Sequence, residues 1–170
     1  MWLYEKNRNN TARYILGEQG SRPLVCIGIN PSTAVPGCLD PTLKTVQKMA
    51  SLRGFDGWLM LNLYPQRATN PNHLHEKPVK SWIGENERKI QQYLSQIQSP
   101  TIWAAWGTLI QKRTFLPNCL VQIAELIQPL QPEWITLGRR SKHGHPHHPL
   151  YLPHAAAIET FDICTYRDSL

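Results

Sequence analysis

The chain has 170 residues, 41% of them hydrophobic and 18% charged, which fits one domain with a full core and excludes a disordered or solvating polymer. Lysine and arginine exceed aspartate and glutamate by 18 to 12, a formal charge of +6 that suits an anionic partner without dictating a fold. No run approaches the ~18 apolar residues of a membrane span, and the opening Met1-Trp2-Leu3-Tyr4-Glu5-Lys6 turns polar at once, so neither a membrane partner nor a secretory leader is expected.

Tyr14-Ile15-Leu16 reads as a short edge strand. Four continuous apolar runs follow, Leu24–Ile29, Trp58–Leu63, Ile102–Trp106 and Trp134–Leu137, each unbroken as in strands covered on both faces of a parallel sheet. Helical spacing lies between them. Asp40-Pro41-Thr42 opens the first helix, with Asp40 as the cap and Pro41 at the first position, and Gly54 closes it. The second spans Lys80 to Gln98, with Trp82, Ile83, Ile90, Tyr93, Leu94 and Ile97 on one side. The third spans Thr108 to Gln128, where Pro117 is expected to break or bend it. The order predicts a single three-layer α/β/α domain over residues 1–170, built on a mainly parallel four-stranded sheet.

Cys26, Cys38, Cys119 and Cys164 are widely spaced and form no C-x-x-C pair, which suits a reducing, cytoplasmic setting. No phosphate loop, G-x-G-x-x-G or nucleophile elbow is present. His143, His145, His147 and His148 lack helical ligand spacing and Cys or carboxylate companions, so neither a metal nor a cofactor is expected.

Ligands of such folds bind at the carboxyl ends of the strands. There the chain places Gly28-Ile29-Asn30-Pro31-Ser32-Thr33-Ala34, Asn62-Leu63-Tyr64-Pro65-Gln66-Arg67, Trp106-Gly107-Thr108, and the long segment from Gly138 to Tyr151. Each has a plainer reading. Asn-Pro-Ser-Thr is good turn chemistry as well as a candidate site. Asn62 either caps backbone or offers its amide to a planar ligand. His148 sits among five histidines between His143 and His154, and histidines in proline-rich loops are usually idle. Arg139, Arg140 and Lys142 stand in a stretch free of acidic residues that reads equally as a phosphate-binding loop or a solvated one.

Two resemblances bear on these segments. Arg13-Tyr14, Gly28-Ile29-Asn30-Pro31-Ser32-Thr33-Ala34, Asp40-Pro41-Thr42, Asn62-Leu63-Tyr64, Ala105-Trp106-Gly107 and His148-Pro149-Leu150-Tyr151 resemble the pattern of a family of small bacterial and phage proteins known only as a domain of unknown function. More distantly, the order Gly-x-Asn-Pro, strand-end Asn, Trp-Gly and His-Pro loop is similar to that of the uracil-DNA glycosylase superfamily. That resemblance implies the same fold and a partner that is a nucleobase, nucleotide or nucleic acid, with hydrolysis of an N-glycosidic bond as the activity. It implies that Asn30 positions water, His148 stabilises the leaving base and Asn62 reads its edge. Ser32, Arg139, Arg140 and Lys142 would touch phosphates, and Tyr64 or Tyr151 would stack on the base; Arg67 joins the binding candidates from the same strand end. Leu150 stands where that superfamily's loop has Ser. Two alternatives remain open: a non-catalytic nucleotide or nucleic-acid binder, and a hydrolase or transferase for a small phosphorylated metabolite.

Overall fold

The computed structural model describes residues 1–170. Its strands are β1 (Trp2–Lys6), β2 (Arg13–Glu18), β3 (Pro23–Gly28), β4 (Gly57–Asn62), β5 (Thr101–Ala104), β6 (Glu133–Leu137) and β7 (Ile158–Thr160). Four helices accompany them, α1 (Pro41–Leu52), α2 (Lys80–Leu94), α3 (Leu116–Ile127) and α4 (Ile163–Asp168). None of these helices is long and apolar enough to cross a membrane.

The strands form one sheet in the order β1-β2-β4-β3-β5-β6-β7. The centre, β4-β3-β5-β6, is parallel and corresponds to the four apolar runs; Cys26 of β3, for example, pairs with Met60 on one side and Trp103 on the other. The expected four strands are corrected to seven, because antiparallel strands extend both edges: β2, which holds the expected Tyr14-Ile15-Leu16 but is itself flanked by β1, lies beyond β4, and β7 lies beyond β6. β1 is half-polar, and β7 is exposed along its length. Neither carries the apolar run that announces a central strand.

The two faces of the sheet bury separate cores. Val25, Ile27, Ile102 and Ala104 pack beneath residues of α2 and α3, joined by Tyr166 of α4. Leu24, Cys26, Met60 and Trp103 pack beneath Leu43, Val46 and Met49 of α1. The α1 layer therefore holds one helix, and Leu152 and Ala156 of the irregular tail cover the rest of that face. Arg53, at the end of α1, donates hydrogen bonds to the carbonyls of His154 and Ala156. The first turn of the His148 segment, Pro149–Tyr151, also packs against α1.

Local chemistry sets the helix ends. Asp40 Oδ1 accepts from the Leu43 N–H at 2.9 Å, and Pro41 begins α1, where the missing proline N–H costs no hydrogen bond. The expected helix from Thr108 to Gln128 is instead a 3-10 turn at Gly107–Gln111 followed by α3. Pro117 sits at the second position of α3, so it starts a helix rather than bending one. α2 ends at Leu94, short of the expected Gln98, although Ile97 still packs on the core.

Chain direction determines where a site can form. The link from β3 through α1 leads to β4 on one face, while β4 leads through α2 to β5 on the other side of β3 and on the opposite face. The segments leaving β3 and β5 thus diverge, which opens a crevice at the carboxyl edge. Because β2 runs antiparallel to β4, its first residue, Arg13, lies at this same edge, and its N–H donates to the Pro65 carbonyl at 2.9 Å.

Candidate functional site

A cleft of about 590 Å³ opens at that edge. Residues after β3, β5 and β6, the start of α1 and the start of β2 all contribute to its lining.

Asn30 is fixed by its amide nitrogen, which donates to the carbonyls of Pro31, Gln66 and Ala68 at 3.0, 3.3 and 2.8 Å. The nitrogen is thereby spent on holding the loop after β3 to the loop after β4. The amide orientation is set, and Oδ1 remains as the side chain's acceptor in a residue that lines the cleft. Ser32 lines it as well, its hydroxyl 2.9 Å from that of Thr69.

His148 lines the same cleft. Its Nδ1 accepts from the Leu150 N–H at 3.3 Å, so the neutral ring carries its proton on Nε2. Burial pulls its pKa below the usual histidine value, with the negative charge of Asp40 pulling the other way. The Trp106-Gly107 turn packs beside it: Gly107 has φ +63°, a conformation that favours glycine, and a Cβ there would make an ordinary contact with the His148 Cβ at 3.6 Å. Tyr151 is 80% exposed at the rim, its ring 6.0 Å from that of His148.

Further polar lining residues include Arg13, Asp40, Thr42 and Thr69, which strand-end reasoning passed over or read only as a cap, and His145, weighed there only as a metal ligand. His145 is buried, with Nδ1 2.8 Å from the Tyr166 hydroxyl. That hydroxyl accepts the Trp106 indole N–H at 3.0 Å. Trp can only donate, and the arrangement that also uses the Tyr166 proton directs it to His145 Nδ1, with the ring proton of His145 on Nε2. Burial lowers the His145 pKa and raises that of Tyr166 to about 12. Arg13 is 1% exposed and donates from one terminal nitrogen to the Ala34 carbonyl at 3.0 Å, while its Nε has no partner.

The remaining candidates fall elsewhere. Asn62 is fully buried at the end of β4, and neither atom of its amide has a hydrogen-bond partner in the protein. It lies behind the lining rather than in it: a Cβ on Gly28, which does line the cleft, would stand 3.3 Å from Asn62 Oδ1. Tyr64 is buried on the opposite face, packed on Trp82 and Phe115. Its hydroxyl accepts from the Val79 N–H at 3.0 Å and shares a hydrogen bond with His75 Nδ1 at 2.8 Å. Arg67 holds the loop after β3 from outside the lining, donating to the Ser32 and Ala34 carbonyls and to the Tyr4 hydroxyl. Arg139, Arg140 and Lys142 are exposed and line no part of the cleft; Arg140 stands over the Phe161 ring at 5.9 Å. The structure thus brings Asn30, Ser32, His148 and Tyr151 together, sets Asn62 just behind them, and separates Tyr64, Arg67 and the basic triplet from them. No three His, Cys, Asp or Glu side chains converge as a metal-binding group.

Fold and site together define an α/β protein with a polar cleft at the carboxyl edge of a parallel sheet. Residues 13–150 match the family described as "Protein of unknown function (DUF1643)", and the chain belongs to that family. Neither the curated proteins nor the solved structures yielded a match.

Proposed function

We propose that the cleft recognises a nucleobase or nucleotide and that the protein hydrolyses an N-glycosidic bond, on a glycosylase-like plan similar to that of the uracil-DNA glycosylase superfamily. The observation that carries this reading is the Asn30 amide. Its nitrogen is bound by three backbone carbonyls, and its oxygen is left as an acceptor in the same cleft as a neutral His148.

Breaking the bond from sugar to base builds positive charge at the anomeric carbon and negative charge on the base. Asn30 Oδ1 accepts from a water and orients its oxygen toward that carbon. The water oxygen bonds to carbon as the carbon–nitrogen bond breaks, and the base leaves with the electron pair. The water's released proton passes to solvent or to the departing base, since an amide does not take it up. His148 Nε2–H donates a hydrogen bond to the base oxygen that gains charge, a form of leaving-group stabilisation that typically contributes 10²–10³-fold in rate. Asn62, whose amide is buried without a partner behind Gly28 and Met60, supplies donor and acceptor for the base edge once the flexible Met60 side chain moves aside.

Incubation with nucleotides and with oligonucleotides carrying uracil, hypoxanthine or alkylated bases tests the reading by free-base release. Release that falls about a hundredfold in His148→Ala, with ligand binding retained, supports it. Absence of release from every substrate at high enzyme concentration counts against hydrolysis. The Asn30 clamp is also compatible with a second reading, because a loop staple of this kind serves a purely binding protein as well. In that case ligand binding persists with no product.

A further inference from the structure

Arg13 is an unusual residue to find at the head of a strand. Its side chain is 1% exposed, yet it lines the cleft. It shares the Ala34 carbonyl with Arg67, which donates to the same oxygen at 3.3 Å. The Nε atoms of both guanidinium groups are buried without a partner. All three ion pairs of the protein lie elsewhere. Asp40 is the one carboxylate whose charge reaches Arg13, and its Oδ1 is committed to the Leu43 N–H. Two guanidinium groups on one carbonyl, with one carboxylate acting on Arg13, leave a surplus positive charge beside the cleft. Burying such a charge without a hydrogen-bonded counter-charge is costly, and burial with the neighbouring Arg67 lowers the Arg13 pKa to about 10.

The same cleft meets the first turn of α1 through Pro41, Thr42 and Leu43. Leu43 is capped by Asp40, but the Thr42 N–H makes no hydrogen bond within the protein. It therefore presents a free donor at the positive end of a 12-residue helix. The hydroxyls of Ser32 and Thr69 line the cleft too. Asp40 acts electrostatically on both Arg13 and His148, so these donors and the imidazole share one neighbourhood.

We propose that Arg13 and the first turn of α1 form a phosphoryl-binding subsite within the cleft, and that its ligand is a small phosphomonoester. That the ester is a nucleoside monophosphate rests on the base-recognition reading above; the anion subsite itself does not. A free monoester fits better than a polymer, because the surplus charge is buried inside the cleft. The basic residues that a polymer backbone would reach, Arg139, Arg140 and Lys142, stand exposed outside it. The subsite excludes Arg139, Arg140 and Lys142, whereas Ser32 lines the same cleft.

Calorimetric titration of the full chain with inorganic phosphate, nucleoside 5′-monophosphates and the matching nucleosides tests the assignment. The monophosphate is expected to bind about tenfold or more tighter than its nucleoside, as charge-assisted hydrogen bonds do, and inorganic phosphate is expected to compete with it. Arg13→Lys should reduce that preference. Should Arg13→Lys fail to fold, Thr42→Glu serves instead, since an acidic residue in the first turn favours the helix while repelling the anion. It should keep the melting temperature and lose the preference for phosphate. Asp40→Asn, which keeps a good cap, should tighten phosphate binding. Equal affinity for nucleoside and monophosphate, with no competition by phosphate, overturns the subsite and leaves base recognition standing. Phosphate binding that Thr42→Glu abolishes, with no discrimination among bases, upholds the subsite and overturns the nucleoside assignment. Preference for an oligonucleotide that inorganic phosphate does not displace overturns the small-ligand assignment.

Discussion

The Tyr166 hydroxyl lies 2.8 Å from Nδ1 of His145, which ties α4 to the wall of the cleft. Because the same hydroxyl accepts the Trp106 indole N–H, a single oxygen fixes both the ring tautomer of a cleft histidine and the only polar atom of a buried tryptophan. Tyr166→Phe removes this oxygen and leaves the Trp106 N–H buried without a partner. The expected loss is about 1–3 kcal/mol of stability, read by urea unfolding. A shift of the His145 ring nitrogens in NMR, reporting a mixture of tautomers, separates this effect from simple loss of packing.

Acid should destabilise the protein in a defined window. Both His145 and His148 have folded-state pKa values below the ordinary one, first because of burial. A depressed value for a base means that the unfolded chain binds the proton more readily. Stability is therefore complete above about pH 6.5, the value for an unfolded histidine, and declines as pH falls through the folded-state values. Urea midpoints at pH 7.5 and 5.5 should show the decline, and His148→Gln should flatten part of it. A midpoint that is unchanged or higher at pH 5.5 contradicts this account.

Asn62 should show a conflict between stability and recognition. Its amide is wholly buried and makes no hydrogen bond within the protein, an arrangement that costs about 1–3 kcal/mol. Asn62→Leu, similar in size and without polar atoms, is expected to raise the melting temperature and to erase discrimination among bases. A lowered melting temperature with discrimination intact contradicts both expectations.

Two glycines on the strands that flank β4 should differ in tolerance. A Cβ on Gly28 meets the flexible end of Met60 at 2.6 Å and then Asn62 Oδ1 at 3.3 Å. A Cβ on Gly17 meets the main-chain carbonyl of Trp58 first. Gly28→Ala should cost about 1–3 kcal/mol, as overpacking does, and disturb ligand binding at the cleft floor. Gly17→Ala should cost more, because strand backbone cannot step aside as a methionine methyl can. Thermal unfolding of the two variants side by side gives the order.

The central sheet was legible because its four strands are unbroken apolar runs, and α1 was legible because Asp40-Pro41 marks its start. β7 was not. Ile158–Thr160 is exposed throughout and attaches to β6 through main-chain hydrogen bonds, which leave no side-chain signature. In the site, Asn30, Ser32, His148 and Tyr151 line the cleft as residues that follow strands or sit in the last loop. Arg13 escaped that rule because it begins an antiparallel strand, and the start of β2 coincides in space with the ends of β3 and β4. Tyr64 misled it in the opposite sense: two residues past β4 the side chain turns to the α2–α3 core. The charges at Arg139, Arg140 and Lys142 follow β6, but Gly138, with φ +69°, redirects the chain before them, and all three end in solvent.

Arg53 gives α1 a second task. Its guanidinium grips the carbonyls of His154 and Ala156, the body of the helix packs on the Pro149–Tyr151 turn, and Asp40 and Thr42 face the cleft from its first turn, so one helix supplies both main-chain donors to the cleft and the support beneath its histidine segment.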